Sequence, residues 1–145
     1  TIEEFEFGDH RTMSSREYGS DSFFQSHHGI QDKWAQLRIG SKGGYDYFEA
    51  KTILLRARNL KEGSRGTPHG IANIRQGLRK ANIEGRTYFD ERIKCIEDLE
   101  DAGVPKDIVD QYMKEVDAYF SDRYRQLAQK ISKQELRNIF GKWSP

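Results

Sequence analysis

Residues 23–30 read FFQSHHGI and place two of the chain's four histidines, His27 and His28, side by side. Aromatic residues precede the pair and Gly29 follows it, which is typical of a strand that ends at a turn. Successive side chains on an extended strand point to opposite faces. We therefore expect a strand that ends at the pair, where one ring can bind a metal ion while the other faces a substrate.

The flanking segments predict a mixed fold. The FEF of residues 5–7 and the KTILL of residues 51–55 are strand candidates. Between the pair and the second of these runs, Ile30, Trp34 and Leu37 have the spacing of a short helix. The chain thus alternates strand and helix in its first half.

Three further helices are predicted after residue 87. Capping-box patterns at residues 87–90 and 132–135 mark helix starts, and Gly103 marks a stop. Apolar residues recur every three or four positions, so we interpret them as a packed core face rather than as a surface for stacking bases. They are Phe89, Ile93, Ile96 and Leu99, followed by Ile108, Tyr112, Val116, Tyr119, Phe120, Tyr124, Leu127 and Ile131.

The predicted class is α+β, in one domain of residues 1–145 that comprises an active-site region (1–82) and a helical subregion (87–141). A length of 145 residues suits one domain. The single cysteine, Cys95, excludes an intramolecular disulfide and is expected to be a buried, inert thiol. No run of about 18 apolar residues predicts a membrane segment.

The net charge of +1 hides an uneven distribution. Residues 1–29 contain two Lys or Arg and six Asp or Glu, whereas residues 30–95 contain fourteen and seven; residues 96–145 contain eight and ten. A basic segment beside a histidine pair is the pattern expected where a polyanion binds, although such charges also commonly solvate helix surfaces.

The order of strand, His-His, strand, asparagine-containing loop and histidine-led helix resembles the ββα-metal finger of the HNH/endonuclease VII superfamily. The SHHG of residues 26–29 is similar to the signature of nuclease toxins in that superfamily, the C-terminal effector domains of bacterial polymorphic toxins. The GTPHG of residues 66–70 extends the resemblance, which covers roughly residues 1–82. It implies a ββα-metal finger followed by a helical bundle.

The resemblance implies a role for each matching residue. His27 would bind the metal ion, His28 would activate the attacking water, and His69 would be a second metal ligand. Many members have another histidine one helical turn later, where this chain has Asn73. Asn59 is the candidate for the superfamily's middle asparagine, which holds the loop and orients the base.

A second pair, Asp9-His10, leaves an alternative open. An Asp-His pair serves as metal ligand and base in some HNH enzymes, so Asp9 could bind the metal ion and His10 could be catalytic. We prefer the pair at residues 27–28, because the strand at residues 51–55 and the helix led by His69 then follow in the expected order. His10 can still line the site as an auxiliary group.

The implied chemistry is phosphodiester hydrolysis with one divalent metal ion, with magnesium the first choice and manganese, nickel and zinc as alternatives. A histidine of ordinary pKa, about 6.5, is roughly three-quarters neutral near pH 7 and can accept a proton from water. The metal ion would stabilise charge that develops on the phosphate. Sequence-independent phosphate contacts are expected from Arg56, Arg58, Arg65, Arg75 and Arg79.

The resemblance therefore predicts an HNH-type metal-dependent endonuclease that hydrolyses DNA with little sequence specificity and acts as an antibacterial toxin. The chain starts abruptly without a targeting segment, so we expect a domain of a larger secreted toxin that is delivered into the target-cell cytoplasm. A cognate immunity protein is expected in the producing cell. The main alternative is a non-catalytic nucleic-acid- or protein-binding module with structural histidines. A histidine-based hydrolase of another substrate has no Ser/His/Asp or reactive-cysteine pattern to support it.

Overall fold

The computed structural model describes residues 3–17 and 23–145. A three-stranded antiparallel sheet lies in the N-terminal half, with β1 (Phe7–Asp9), β2 (Phe24–His28) and β3 (Lys51–Arg56) in the order β1-β3-β2. The strands predicted before the histidine pair and at residues 51–55 are thus confirmed. The strand predicted at residues 5–7 is displaced along the chain, because it begins only at Phe7 and ends at Asp9.

Helices account for most of the remaining chain. The predicted helix between β2 and β3 is present, as are the helix at Pro68 and the three helices after residue 87. They are α1 (His10–Glu17), α2 (Asp32–Arg38), α3 (Pro68–Gly77), α4 (Tyr88–Asp101), α5 (Lys106–Ala128) and α6 (Lys133–Phe140), with short 3-10 turns at Ser41–Gly43 and Lys80–Gly85. The chain is α+β, with a ββα-type unit of β2, β3 and α3 and a helical C-terminal part.

The helix ends follow the predicted capping chemistry. The Thr87 hydroxyl accepts from the Asp90 N–H at 3.1 Å and the Asp90 carboxylate accepts from the Thr87 N–H at 3.0 Å, which completes a capping box. The Ser132 hydroxyl likewise accepts from the Glu135 N–H at 3.1 Å. Gly103 follows α4 with a φ of +91°, a conformation that glycine adopts without steric cost.

The long helix α5 packs its aromatic stripe into the core. Tyr112, Val116 and Phe120 are buried, and the Phe7 ring of β1 lies 5.9 Å from the Tyr112 ring, centroid to centroid. Ile53 of β3 is fully buried in the same cluster. The interpretation of this stripe as core rather than as a stacking surface agrees with its burial, and α5 supports the sheet from behind.

The predicted core face of α4 is wrong at Ile93, which is 40% exposed. The helix instead buries two carboxylates, Glu91 and Asp98, which are 2% and 1% exposed. Asp98 is held by Arg75 and Arg79 at 2.8 and 2.6 Å. Buried ion pairs rotate the helix away from the face that apolar periodicity alone would select, because a buried carboxylate needs its cationic partners.

Candidate active site

The adjacent histidines of β2 lie in two different settings. In the antiparallel register His27 is paired with Ile53 and His28 with Thr52. His27 packs towards α3, where its ring lies 5.5 Å from that of His69. His28 packs on the other side of the strand. The pleat of the strand produces this separation, because successive side chains alternate between its faces.

His27 itself is closed from solvent. His27 is 5% exposed, and burial lowers its pKa to about 3, with the neighbouring rings of His69 and His28 acting in the same direction. Burial also lowers the pKa of His69. The Nδ1 atom of His69 is buried without a hydrogen-bond partner among the described residues. Two neutral imidazoles therefore face each other between β2 and α3.

Gln76 of α3 joins this pair, and the sequence interpretation missed it. Its Nε2 donates to the carbonyl oxygens of His28 at 2.7 Å and Gly29 at 3.2 Å, and lies 3.2 Å from His27 Nε2. Both carbonyls can only accept, so the amide orientation is fixed. A spacing of seven residues from His69, two helical turns on the same face, is the signal that could have identified Gln76.

On the opposite side, His28 is held by a backbone carbonyl. Its Nε2 lies 3.1 Å from the carbonyl oxygen of Tyr47, and the Tyr47 ring stacks on the imidazole with centroids 4.7 Å apart. A carbonyl only accepts, so Nε2 carries the proton and the lone pair of the neutral ring lies on Nδ1. Burial lowers the pKa of His28. No side-chain pattern could have revealed this contact, because Tyr47 makes it through its backbone.

His10 of α1 completes the second cluster. Its ring centroid lies 4.5 Å from that of His28, and its Nδ1 is 2.8 Å from the Ser26 hydroxyl, which donates to Thr52 Oγ1 at 2.6 Å. Burial lowers the pKa of His10, as does the nearby His28. The structure thus brings His10 beside His28, whereas the Asp9 carboxylate accepts from the backbone N–H of Thr12 at 3.2 Å, at the start of α1.

The serine of the SHH tripeptide therefore connects three elements. Ser26 binds His10 of α1 and Thr52 of β3 through its hydroxyl, and its backbone N–H donates to the Glu17 carboxylate at the other end of α1. Since β2 is an edge strand, Glu17 satisfies an N–H that no neighbouring strand pairs. Both ends of α1 are anchored on one residue.

A small polar pocket of about 220 Å³ lies beside His69. It brings His69 together with Asn73, one turn later on α3, and with Arg58, which follows β3. The remaining lining residues are Gln25, Ala57, Ser64 and Gly70. A larger cavity, about 550 Å³, lies in the C-terminal helical part between α5 and α6 and contains no histidine.

Asn59 lies in a separate setting. It forms an isolated bridge with Gly63, and its Oδ1 accepts from the backbone N–H groups of Lys61 at 3.0 Å and Glu62 at 2.6 Å. These contacts stabilise an exposed turn between β3 and α3. The bonds that the structure gives the Asn59 side chain thus remain within its own turn and do not include His28.

The five predicted phosphate-binding arginines divide into two groups. Arg75 and Arg79 both bind the Asp98 carboxylate, and Arg79 is largely buried. Arg56 lies 3.7 Å from a carboxylate oxygen of Glu4. By contrast, the residues described here include no ion-pair partner for the two exposed side chains, Arg58 and Arg65. These two have cationic groups that remain available for phosphate.

The residues around His27 fit a divalent cation in part. Within residues 3–17 and 23–145, no group of three His, Cys, Asp or Glu side chains is arranged to hold a metal ion. Two neutral imidazoles are nonetheless paired there, and a buried imidazole nitrogen of His69 has no partner. Such a set fits a cation that takes two nitrogen ligands from the protein and leaves other positions to water or substrate oxygen.

These features define a class of protein: a ββα-type unit with a histidine pair at the end of its first strand and a histidine at the start of its helix. Residues 21–121 match the family of HNH/endonuclease VII superfamily toxins with an SHH signature, Tox-SHH, and the chain belongs to that family. No curated protein and no solved structure matches the chain. None of the helices in the described residues has the length and apolar character needed to cross a membrane.

Proposed function

We propose that the protein is a metal-dependent endonuclease that hydrolyses DNA phosphodiester bonds with little sequence specificity. One observation carries the proposal: the two histidines at the end of β2 lie in different settings. His27 is paired with the neutral ring of His69, whereas the Nε2 proton of His28 is fixed by a backbone carbonyl. These are the settings that a cation ligand and a general base require. His27 and His69 take the first role and His28 takes the second.

His28 acts as the base. Its Nε2–H is held by the Tyr47 carbonyl, so Nδ1 is the nitrogen that accepts a proton from water. Burial lowers the pKa of His28 below its ordinary value of 6.5, so the ring is neutral and ready to accept a proton at neutral pH. As the ring becomes cationic, the Tyr47 carbonyl continues to accept from Nε2 and stabilises that charge.

His27 and His69 hold the cation, with Asn73 on the next turn of α3 as a further oxygen donor. A bound divalent ion would stabilise negative charge on the phosphate and on its leaving oxygen. Magnesium is the first candidate, and the two imidazoles also suit manganese, nickel or zinc. Asp9 is a weaker candidate ligand, because its carboxylate accepts from the Thr12 N–H.

Substrate phosphates are held at the pocket beside His69. Arg58 lines that pocket, and the exposed Arg65 follows in the same loop. Contacts of this kind recognise the sugar-phosphate backbone and not the bases, which accounts for low sequence specificity. Arg75 and Arg79 support this region indirectly, since their guanidinium groups fix α3 to Asp98 of α4.

Membership in a toxin family supports a biological context for this activity. The domain would be delivered into the cytoplasm of a competing bacterium as part of a larger secreted toxin, where it would cleave DNA. The producing cell would then need an immunity protein that binds the domain. Residues 1–145 would act as one nuclease domain.

Incubation of the purified chain with supercoiled plasmid tests the proposal, in EDTA and with added Mg²⁺, Mn²⁺, Ni²⁺ or Zn²⁺. Nicked and linear products should appear only with a divalent ion, and His28→Ala should reduce them by at least about 100-fold. An intact plasmid under every metal would exclude the nuclease. If the chain retards DNA in a gel without cleaving it, the protein is a binding module with structural histidines.

A further inference from the structure

Gln76 occupies the atom of His27 that a cation would need. Because its Nε2 can only donate, the His27 Nε2 atom 3.2 Å away must accept. A neutral imidazole has one lone pair, and the N–H donated by Gln76 places that lone pair on Nε2 of His27. The single lone pair of His27 is therefore engaged by Gln76, and its Nδ1 carries the proton.

We propose that Gln76 is a latch that competes with the divalent cation for His27, so that cation binding requires the Gln76–His27 hydrogen bond to break. The inference rests on the proposed role of His27 as a cation ligand. It concerns residues of α3 and β2 only, and it holds whichever divalent ion the site prefers.

Breaking the Gln76–His27 hydrogen bond costs little free energy in this structure. The Gln76 amide also donates to the carbonyl oxygens of His28 at 2.7 Å and Gly29 at 3.2 Å, so both of its protons keep acceptors after it leaves His27. Only one weak hydrogen bond is lost, and a net hydrogen bond contributes about 0.5–1.5 kcal/mol. The latch therefore reduces cation affinity without blocking the site, and it keeps β2 attached to α3 in both states.

Cation binding measured by isothermal titration calorimetry tests the latch independently of cleavage. Gln76→Leu removes the competing N–H, so we expect it to bind Zn²⁺ about two- to tenfold more tightly than the parent chain. Adding His27→Ala to Gln76→Leu should remove this gain. Gln31→Leu is the control, because Gln31 is a buried glutamine whose amide donates to Glu91 at 2.9 Å and not to His27, and it should leave the affinity unchanged.

A second measurement uses the unaltered protein, so it does not depend on how well the variant folds. In ¹⁵N-labelled protein, Zn²⁺ should shift the Gln76 side-chain amide resonances together with the His27 Nε2 resonance. The latch is excluded if Zn²⁺ binds to the parent protein while the Gln76 resonances stay in place. It is also excluded if Gln76→Leu binds Zn²⁺ no more tightly than the parent does, or if neither the parent nor the variant binds a divalent ion. An absence of plasmid cleavage with a confirmed latch would instead refute the proposed nuclease.

Discussion

The Tyr112 hydroxyl accepts from the backbone N–H of Gly29 at 3.0 Å and donates to the carbonyl oxygen of Lys51 at 2.9 Å. One side chain of α5 thus joins the end of β2, just after the histidine pair, to the start of β3. The fit is close, since a Cβ on Gly29 would lie 2.7 Å from Cys95 Sγ and 2.8 Å from the Tyr112 oxygen. The C-terminal helices therefore hold the strand ends that carry the site.

Tyr112→Phe should lower the free energy of unfolding by about 1–3 kcal/mol, because the buried N–H of Gly29 and the partly buried carbonyl of Lys51 lose their shared partner. Urea denaturation followed by circular dichroism would measure the loss. Tyr124→Phe is the control, because the described residues provide no hydrogen-bond partner for the Tyr124 hydroxyl. Equal losses in the two variants would show that the bridge contributes nothing specific.

Local patterns predicted the elements of this fold well. Capping residues, helical spacing, the aromatic residues before the histidine pair and the KTILL run of residues 51–55 identified β2, β3, α3 and the C-terminal helices, because each signal depends on residues close in sequence. The orientation of α4 was missed at Ile93, since Glu91 and Asp98 are buried where Arg79 of an earlier segment reaches both of them. Ion pairs between distant segments have no local signature.

The sequence likewise predicted some residues of the candidate site and missed others. The SHH tripeptide predicted roles for His27 and His28, and the helix start predicted one for His69, whose ring the structure places beside that of His27. Tyr47 escaped the sequence interpretation because it acts through its carbonyl, and Gln76 because the family resemblance directed attention to Asn73. Arg75 was grouped with phosphate-binding residues on charge alone, whereas the nearer of its two carboxylate partners, Asp98, lies 23 residues away in the sequence.

Substitution of the buried carboxylate Asp98 should strongly destabilise the helical part. Asp98→Ala would leave Arg79 largely buried without its closest partner, and loss of one member of a buried pair costs about 3–5 kcal/mol. Chemical denaturation would measure this. Asp122→Ala provides the comparison, because the Asp122–Arg125 pair is 65% and 63% exposed and should contribute less than about 1 kcal/mol.

Stability should fall in acid because His27 is buried in its neutral form. Its pKa of about 3 in the folded chain lies below the unfolded value of 6.5, so between these values only the unfolded chain binds the proton. The contribution of His27 to the free energy of unfolding is therefore fully present above pH 6.5. Below that pH the free energy of unfolding decreases by about 1.4 kcal/mol per pH unit for one proton. Denaturation in EDTA from pH 7 to pH 4.5 would measure this slope.

The variant His27→Asn removes that titrating group. The slope of its free energy of unfolding against pH should therefore be smaller by the amount that one proton contributes. His10, His28 and His69 also have lowered pKa values and supply the remaining slope. An unchanged slope in His27→Asn would mean that His27 is protonated, and thus hydrated, in the folded chain.

Substitutions at His28 and at His69 should have different effects on cleavage and on cation affinity. His28→Ala should reduce plasmid cleavage by at least about 100-fold, the contribution of a general base, while Zn²⁺ affinity is retained. His69→Ala should lose Zn²⁺ affinity and cleavage together. Because the pKa of His28 is lowered and the base must be neutral, cleavage by the parent chain should decline in acid only below pH 6.5. Full activity in His28→Ala would show that another residue is the general base.

His10→Ala tests the alternative pair directly. If His10 only supports His28, its loss should reduce cleavage far less than His28→Ala does, and Ser26→Ala should have a similar, smaller effect because Ser26 holds His10 at 2.8 Å. If Asp9 and His10 were the metal ligand and base, His10→Ala would abolish cleavage and Asp9→Ala would abolish cation binding. The ranking of these variants in one plasmid assay decides between the pairs.

Arg58 should be the clearest phosphate contact. In a His28→Ala background that prevents cleavage, Arg58→Ala should weaken DNA binding equally for unrelated sequences and reduce the slope of log affinity against log salt by about one. Arg75→Ala is the matched control, since its guanidinium binds Asp98 at 2.8 Å and Asp101 at 3.0 Å, and it should lower stability while the salt slope stays unchanged. Fluorescence anisotropy with labelled duplexes at several salt concentrations would measure both. A reduced slope in Arg75→Ala with an unchanged slope in Arg58→Ala would assign the phosphate contact to Arg75 instead of to Arg58.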